Sequence, residues 1–284
     1  MNEEQVQSFW QQHPCGDMQV GGLNRFGKDY RVFFEKYDAF RYREYPELLR
    51  LLDAMDFKGE KVLEVGLGEG ADSEQIIRRG GGMERCRPYC GIGGTAGHPP
   101  LRLRELPYDE LKQGTVLDLP FDDHSFDKVY SCGVLHHVPE VQKAAEEIRR
   151  VLKPDGELIV MLYAKRSLNY LVSICILRRL LLAVAYLAGI KGEEGSKLAQ
   201  HFKNTKELGL LEYLKMENFI HRNTDGPLNP YAKVYTLAEV KRDFPGFEIT
   251  KSYKAFMHAP PLPVHGFPGG KIMGWHLWVH MRPV

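Results

Sequence analysis

Lys61-Val62-Leu63-Glu64-Val65-Gly66-Leu67-Gly68-Glu69-Gly70 constrains this chain more than any other stretch. Its first half is a short apolar run rich in β-branched residues, the pattern of a buried strand. It breaks directly into a loop with glycine at every second position, where the backbone can turn sharply and approach a ligand with no Cβ in the way. Ala71 to Arg79 is helix-compatible, so the loop sits on a strand-to-helix turn. Open α/β sheets bind nucleotide-like ligands there, at the carboxyl ends of strands. The spacing is Gly-x-Gly-x-Gly, not the Gly-x-Gly-x-x-Gly of a dinucleotide fingerprint, and the Lys-Ser/Thr pair of a phosphate loop is missing. Glu64 stands two residues before the first glycine. A carboxylate there disfavours phosphate and suits a cationic or hydroxyl-bearing ligand. The competing readings are a glycine turn without a ligand and, for Glu64, a capping carboxylate near a helix N-terminus.

At 284 residues the chain is one large α/β domain or a domain with a substantial insertion. Lys+Arg 38 against Asp+Glu 37 leaves a net charge of +1, which argues against a polyelectrolyte partner, so no nucleic acid is expected. Five cysteines, Cys15, Cys86, Cys90, Cys132 and Cys175, are odd in number and scattered. With no secretory signal before them they point to a reducing, cytoplasmic setting. Cys86 and Cys90 lack a second Cys or His pair at zinc-site spacing, so no metal is expected.

The N-terminal segment, residues 1–57, is aromatic and charged and reads as a helical cap. A helix beginning near Tyr45-Pro46 leads into the first strand. Residues 58–165 alternate strands and helices. Thr115-Val116-Leu117-Asp118 reads as a strand end, Phe126 to Ser131 as a strand and Val141 to Leu152 as a helix. The helix stops at Lys153-Pro154-Asp155-Gly156, and Glu157 to Tyr163 forms a strongly apolar strand. Such alternation predicts a doubly wound, mainly parallel sheet with helices on both faces. Residues 166–230 read as a helical insertion or lid, and residues 231–284 as strands completing the sheet, ending in the alternating Trp275 to Met281. Leu168 to Gly189 is very apolar, but Arg178-Arg179 fall near its middle. Two central arginines are costly in a bilayer, so the segment reads as a buried or lid helix over a pocket and not as a membrane span.

With these pieces in order, the chain resembles the class I S-adenosylmethionine-dependent methyltransferases, particularly the methyltransferase type-11 group that includes ubiquinone-biosynthesis-like enzymes. Val62 to Gly70 is similar to the family's first motif, and Asp118-Leu119-Pro120-Phe121 through Asp127 to its acidic-then-Leu-Pro-Phe segment. Ser131-Cys132-Gly133-Val134-Leu135-His136-His137-Val138 resembles the fourth-strand motif, and Arg150 to Gly156 the turn before strand five. The resemblance implies a seven-stranded Rossmann-like sheet and S-adenosyl-L-methionine as cofactor. It further implies that Gly66, Leu67, Gly68 and Gly70 pass the methionine and ribose, with Glu64 near the cofactor's amino-bearing end. Asp118 would accept from the adenine amino group, and the Leu119 N–H would donate to the ring. Ser131, Cys132 and Gly133 would line the methionine side. His136 and His137 become the candidates for acceptor contact or proton transfer.

The family also expects a second strand ending in an acidic, ribose-binding residue. Here that place is a run dense in glycine and proline from Gly80 to Pro100, with no acidic residue past Glu84. It makes a poor central strand. Codons compatible with Gly82 to Cys90, read one base later, force a Trp from Met83-Glu84 and permit Ser-Gly-Val-Asp-Leu-Thr, a strand ending in the expected Asp. Residues 81–104 are therefore expected to record a compensated frameshift, a genuine divergent loop being the alternative. The resulting expectation is methyl transfer to a small-molecule or lipid-like acceptor. The rival is an impaired or inactive cofactor-binding protein of the same fold, and the glycine spacing and Leu-Pro-Phe segment count against a nicotinamide-dependent oxidoreductase.

Overall fold

The computed structural model describes residues 3–12, 20–21, 30–80, 86–88, 104–107, 112, 114–190 and 192–284. Helix α1 spans Glu3–Gln12, α2 Tyr30–Glu44 and α3 Leu48–Asp53. Strand β1, Val62–Glu64, leads through the glycine loop into α4, Ala71–Arg79. Then follow β2 (Cys86–Pro88), β3 (Phe126–Cys132), α5 (Val141–Val151) and β4 (Leu152–Ala164). A long helix, α6 (Asn169–Leu187), begins with π-helical turns, and α7 (Lys197–Leu208) follows it. Strands β5 (Val234–Tyr235), β6 (Phe247–Ala255) and β7 (His276–Pro283), with α8 (Leu237–Asp243) after β5, complete the chain.

The strands form one seven-stranded sheet in the order β2-β1-β3-β4-β7-β6, with β5 paired to β4 off this path. β1 pairs in parallel with β2 and β3, and β4 with β3 and β5, whereas β7 runs antiparallel to both β4 and β6. The mainly parallel, doubly wound class expected from the alternation is the class observed. Strand periodicity explains the layering, since successive side chains point to opposite faces. Leu63, Val129, Leu158 and Val160 face a core closed by Val141, Ala144, Ala145 and Ile148 of α5. Val62, Tyr130, Ile159, Met161 and Trp278 face the other side, under Leu48 and Leu52 of α3 and Ile76 and Ile77 of α4. α5 holds its place by an apolar stripe at 141, 144, 145 and 148, the i, i+3, i+4, i+7 pattern.

Local differences from the sequence expectation have local causes. The second strand exists, but as three residues at the sheet's described edge, with Cys86 opposite Val62 and Pro88 opposite Glu64. An edge position tolerates a proline that a central one would not. The rest of the anomalous segment up to residue 103, and with it the expected frameshift, lies outside the described residues. Arg104, at its end, is tied down by Asp38 at 2.6 Å and Glu74 at 2.6 Å, and its Nε donates to the Glu69 carbonyl at 2.7 Å. Thr115 to Asp118 is not a strand end. It is a tight turn closed by a bridge between Thr115 and Asp118, outside the named strands. The strand read from Glu157 begins earlier, because Leu152 already pairs with Phe126 across an irregularity that absorbs Lys153 to Gly156.

The insertion docks on the end of the sheet, with Ile174 and Leu182 of α6 packing together with Tyr213, Phe219, Tyr163 and Trp275. Arg178 turns inward, donating from Nε to the Pro260 carbonyl at 2.9 Å and from Nη1 to the Asn223 carbonyl at 2.6 Å. The opposite face of α6, Leu171, Ile176, Leu180, Leu181, Val184 and Leu187, is exposed. Among the described residues α6 is the one helix long and apolar enough to cross a membrane, by length and composition alone.

Candidate active site

A pocket opens at the carboxyl ends of β1, β3 and β4, on the face that carries Tyr130, Met161 and Trp278. The glycine loop forms its floor. Gly66, Gly68 and Gly70 have φ of 85°, 53° and 77°, the left-handed region that side chains with a Cβ resist. A Cβ on Gly66 would lie 2.1 Å from Val134 Cγ2, so that position also needs glycine for close packing. A Cβ on Gly68 would meet no atom within 4 Å. The bare backbone at Gly68 therefore adjoins open space, the cradle a closely approaching ligand requires.

Glu64 lies on the pocket face because it shares the parity of Val62. It is buried and accepts a hydrogen bond from Ser73 Oγ. Burial, reinforced by the neighbouring Asp72 charge, pushes its carboxyl up to about 8. Asp72, in the first turn of α4, is held by Arg41 of α2 and accepts from Tyr130 Oη at 3.0 Å. Arg41 also lies over the Tyr45 ring, 5.5 Å from its centroid. The floor is thus an acidic pair, one member neutralised by arginine and the other without a cationic partner, an arrangement suited to a bound cation.

The far wall is built around the two histidines. His136 and His137 form a tight turn after β3, their ring centroids 4.3 Å apart, and the His136 ring lies tilted against Tyr163, centroids 3.8 Å apart. His137 Nδ1 donates to the Tyr231 carbonyl at 2.6 Å, and its Nε2 is 3.4 Å from Asp225 Oδ2. Burial lowers both imidazoles' affinity for a proton, for His137 against the opposing pull of Asp225. Trp10 of α1 lies 4.8 Å from His137, so the N-terminal helix closes this side.

The structure brings Glu64, Gly66, Leu67, Gly68, Cys132, Gly133 and His137 to one pocket. Gly70 caps α4 beside it. Ser131 points to the opposite face of β3 from Cys132, and His136 sits behind the wall without lining it. Asp118 is exposed and the Leu119 N–H donates to Glu147 Oε2 at 2.9 Å, so neither reaches the pocket. Burial and the Asp72 charge push the Cys132 thiol up, which keeps it protonated and unfit as a nucleophile. Leu168 to Gly189, read from sequence as a buried or lid helix, does not cover this pocket. No residue of that segment lines the pocket; the insertion contributes Asp225 instead. Sequence reading missed Arg41, Asp72, Tyr163 and Asp225, each of which meets its partner only through the fold.

A glycine-cradled pocket at the strand ends of a mainly parallel sheet defines a nucleotide-type binding domain of the doubly wound class. Residues 63–160 match the family model described as a methyltransferase domain, and the chain carries a class I S-adenosylmethionine-dependent methyltransferase domain of the type-11 group. A demethylmenaquinone methyltransferase of Paenarthrobacter aurescens is 35% identical over 111 residues, covering 39% of this chain and 42% of that protein. A sterol 24-C-methyltransferase of Gibberella zeae is 36% identical over 104 residues, 34% of this chain and 26% of the relative. The chain thus spans under half the length of these curated relatives. The crystal structure of the PH0226 protein from Pyrococcus horikoshii OT3 superposes with a TM-score of 0.50 at 16% identity, over 98% of this chain and 99% of that one, a likeness of fold alone.

Proposed function

We propose that this chain transfers the sulfonium methyl group of S-adenosylmethionine to a small or lipid-like acceptor bound between the glycine loop and the His137 wall. The observation that carries the reading is the juxtaposition of a positive-φ glycine loop with buried Glu64 beneath the pocket. Gly66, Leu67, Gly68 and Gly70 would hold the cofactor's backbone-contacting part, and Glu64 would receive its cationic amino group. Cys132 and Gly133 would border the methionine side. The cofactor supplies an activated methyl group, so the chain's own task is to align an acceptor in line with it and keep water out. His137, neutral at physiological pH, would take a proton from an O–H or N–H acceptor. Asp118 and Leu119 are left out of this set because of where the fold places them.

The sterol and quinone relatives support a lipid-like acceptor, as does an acceptor side built from Trp10, Tyr163, Phe256 and Trp278. Incubating the purified chain with methyl-tritiated S-adenosylmethionine and a lipid extract tests the reading. Label moving into the organic phase is the expected result. Cofactor binding without any transfer, to lipid or aqueous extract, would favour the inactive rival.

A further inference from the structure

Where the acceptor wall meets the insertion, three side chains that can each offer an electron pair converge. The ligating atoms of His136, His137 and Asp225 all lie within 4.8 Å of one another. His137 spends its Nδ1–H on the Tyr231 carbonyl, so the Nε2 lone pair of the neutral ring faces Asp225 Oδ2 at 3.4 Å. Asp225 Oδ2 is buried without a hydrogen bond. Neither ring nitrogen of fully buried His136 meets the geometry of an ordinary hydrogen bond, although the ring interacts with the Met161 main chain. Each such orphan costs about 1–3 kcal/mol if nothing fills the gap. A proton shared between His137 and Asp225 would relieve two of the three and leave His136 unmet.

We propose that His136, His137 and Asp225 form a binding site for one divalent first-row transition-metal ion at the edge of the methyl-transfer pocket. Two imidazoles and one carboxylate suit zinc or iron(II) better than magnesium or calcium, which prefer all-oxygen sets. The surrounding bonds are those that orient metal ligands: His137 gives its other N–H to a main-chain carbonyl, and Asp225 Oδ1 accepts from Tyr163 Oη at 2.6 Å. His137 and Asp225 line the pocket while His136 lies behind them. The open positions of a three-ligand ion therefore face the pocket, where an acceptor's lone pair can coordinate. With the ion bound, the His137 Nε2 lone pair is spent on it, and proton transfer to His137 belongs to the metal-free chain. Sequence spacing could not announce this site, because Asp225 arrives from the insertion.

Untagged protein, dialysed against EDTA and then freed of it, is titrated with Zn²⁺ by calorimetry and with Co²⁺ by visible absorption. The expected result is one ion per chain, Co²⁺ ligand-field bands, and a raised Tm. Asp225→Asn keeps the bond from Tyr163 and is expected to weaken binding at least tenfold with an unchanged circular-dichroism spectrum. His137→Gln serves as the second variant should Asp225→Asn misfold. No saturable binding by the wild type would overturn the site. So would undiminished binding in a folded variant, which would place the ion on surface histidines instead.

Discussion

Arg41 grips Asp72 with both ends of its guanidinium, Nε to Oδ1 at 2.7 Å and Nη2 to Oδ2 at 2.6 Å. The pair ties helix α2 to the first turn of α4 and so fixes the helix on which the glycine loop ends. Asp72 is almost fully buried, so removing its partner strands a charge. Arg41→Met is expected to cost about 2–4 kcal/mol, toward the lower end for buried pairs because the arginine keeps some solvent contact. Urea unfolding with the Asp72→Asn single and double variants measures the coupling. Additive losses would show that the pair does not hold the helices together.

Glu64 sets an opposite expectation for stability and binding. Its carboxyl titrates near 8 when folded and near 4.5 when free, so the folded chain binds the extra proton across that window. Stability contributed by this group therefore falls as pH rises from about 4.5 to 8. Glu64→Gln is expected to stabilise the ligand-free protein at pH 8 by roughly 1–3 kcal/mol. It is also expected to weaken S-adenosylhomocysteine, whose amino group favours the carboxylate. Thermal melts and calorimetry of the same variant check both. A variant that is less stable yet binds normally would refute the role.

Acid should loosen the fold well before its carboxylates protonate. Burial lowers His201 and His258 to about 4 and His276 to about 3, and depresses His136, His137 and His221 as well. The unfolded chain takes up these protons near 6.5 and the folded chain resists them. Stability is thus full above about pH 7 and falls from 6.5 toward 4. Unfolding free energies from urea titrations at pH 7.5 and 5.0 should differ by several kcal/mol, with the lower value at pH 5.0. Equal free energies would mean these rings protonate freely in the folded state.

Much of the frame was legible in the sequence because it rests on local patterns. The Val62–Glu64 strand, the glycine loop and the α4 helix follow one another in ten-odd residues, and the stripe on α5 is complete within one helix. What stayed hidden depends on partners far apart in the chain. Arg178 counted as a charge exposed to a bilayer, whereas in the fold it turns inward to carbonyls of Pro260 and Asn223. Asp118 had the right neighbours in sequence, but a tight turn aims it at solvent. Asp225 carried no motif at all, and only the docking of the insertion brings it to His137.

The two faces of α6 give a direct check on that docking. Leu182 is buried against the insertion's core and Leu181 is exposed. Leu182→Ala is expected to cost about 2–4 kcal/mol, and Leu181→Ala less than about 0.5. Comparable losses at the two positions, read by chemical denaturation, would contradict the described packing.

The methyl transfer proposed for this chain depends on the glycine loop holding the cofactor. Calorimetric titration of S-adenosylhomocysteine into the wild type and Gly68→Val tests that most directly. Gly68 has φ of 53°, and a β-branched side chain there would both strain the backbone and project into the open space beside it. The wild type should bind one molecule per chain, and the variant, with an unchanged circular-dichroism spectrum, should bind at least a hundredfold more weakly. A wild type that does not bind, or a folded variant that binds equally well, would contradict the account.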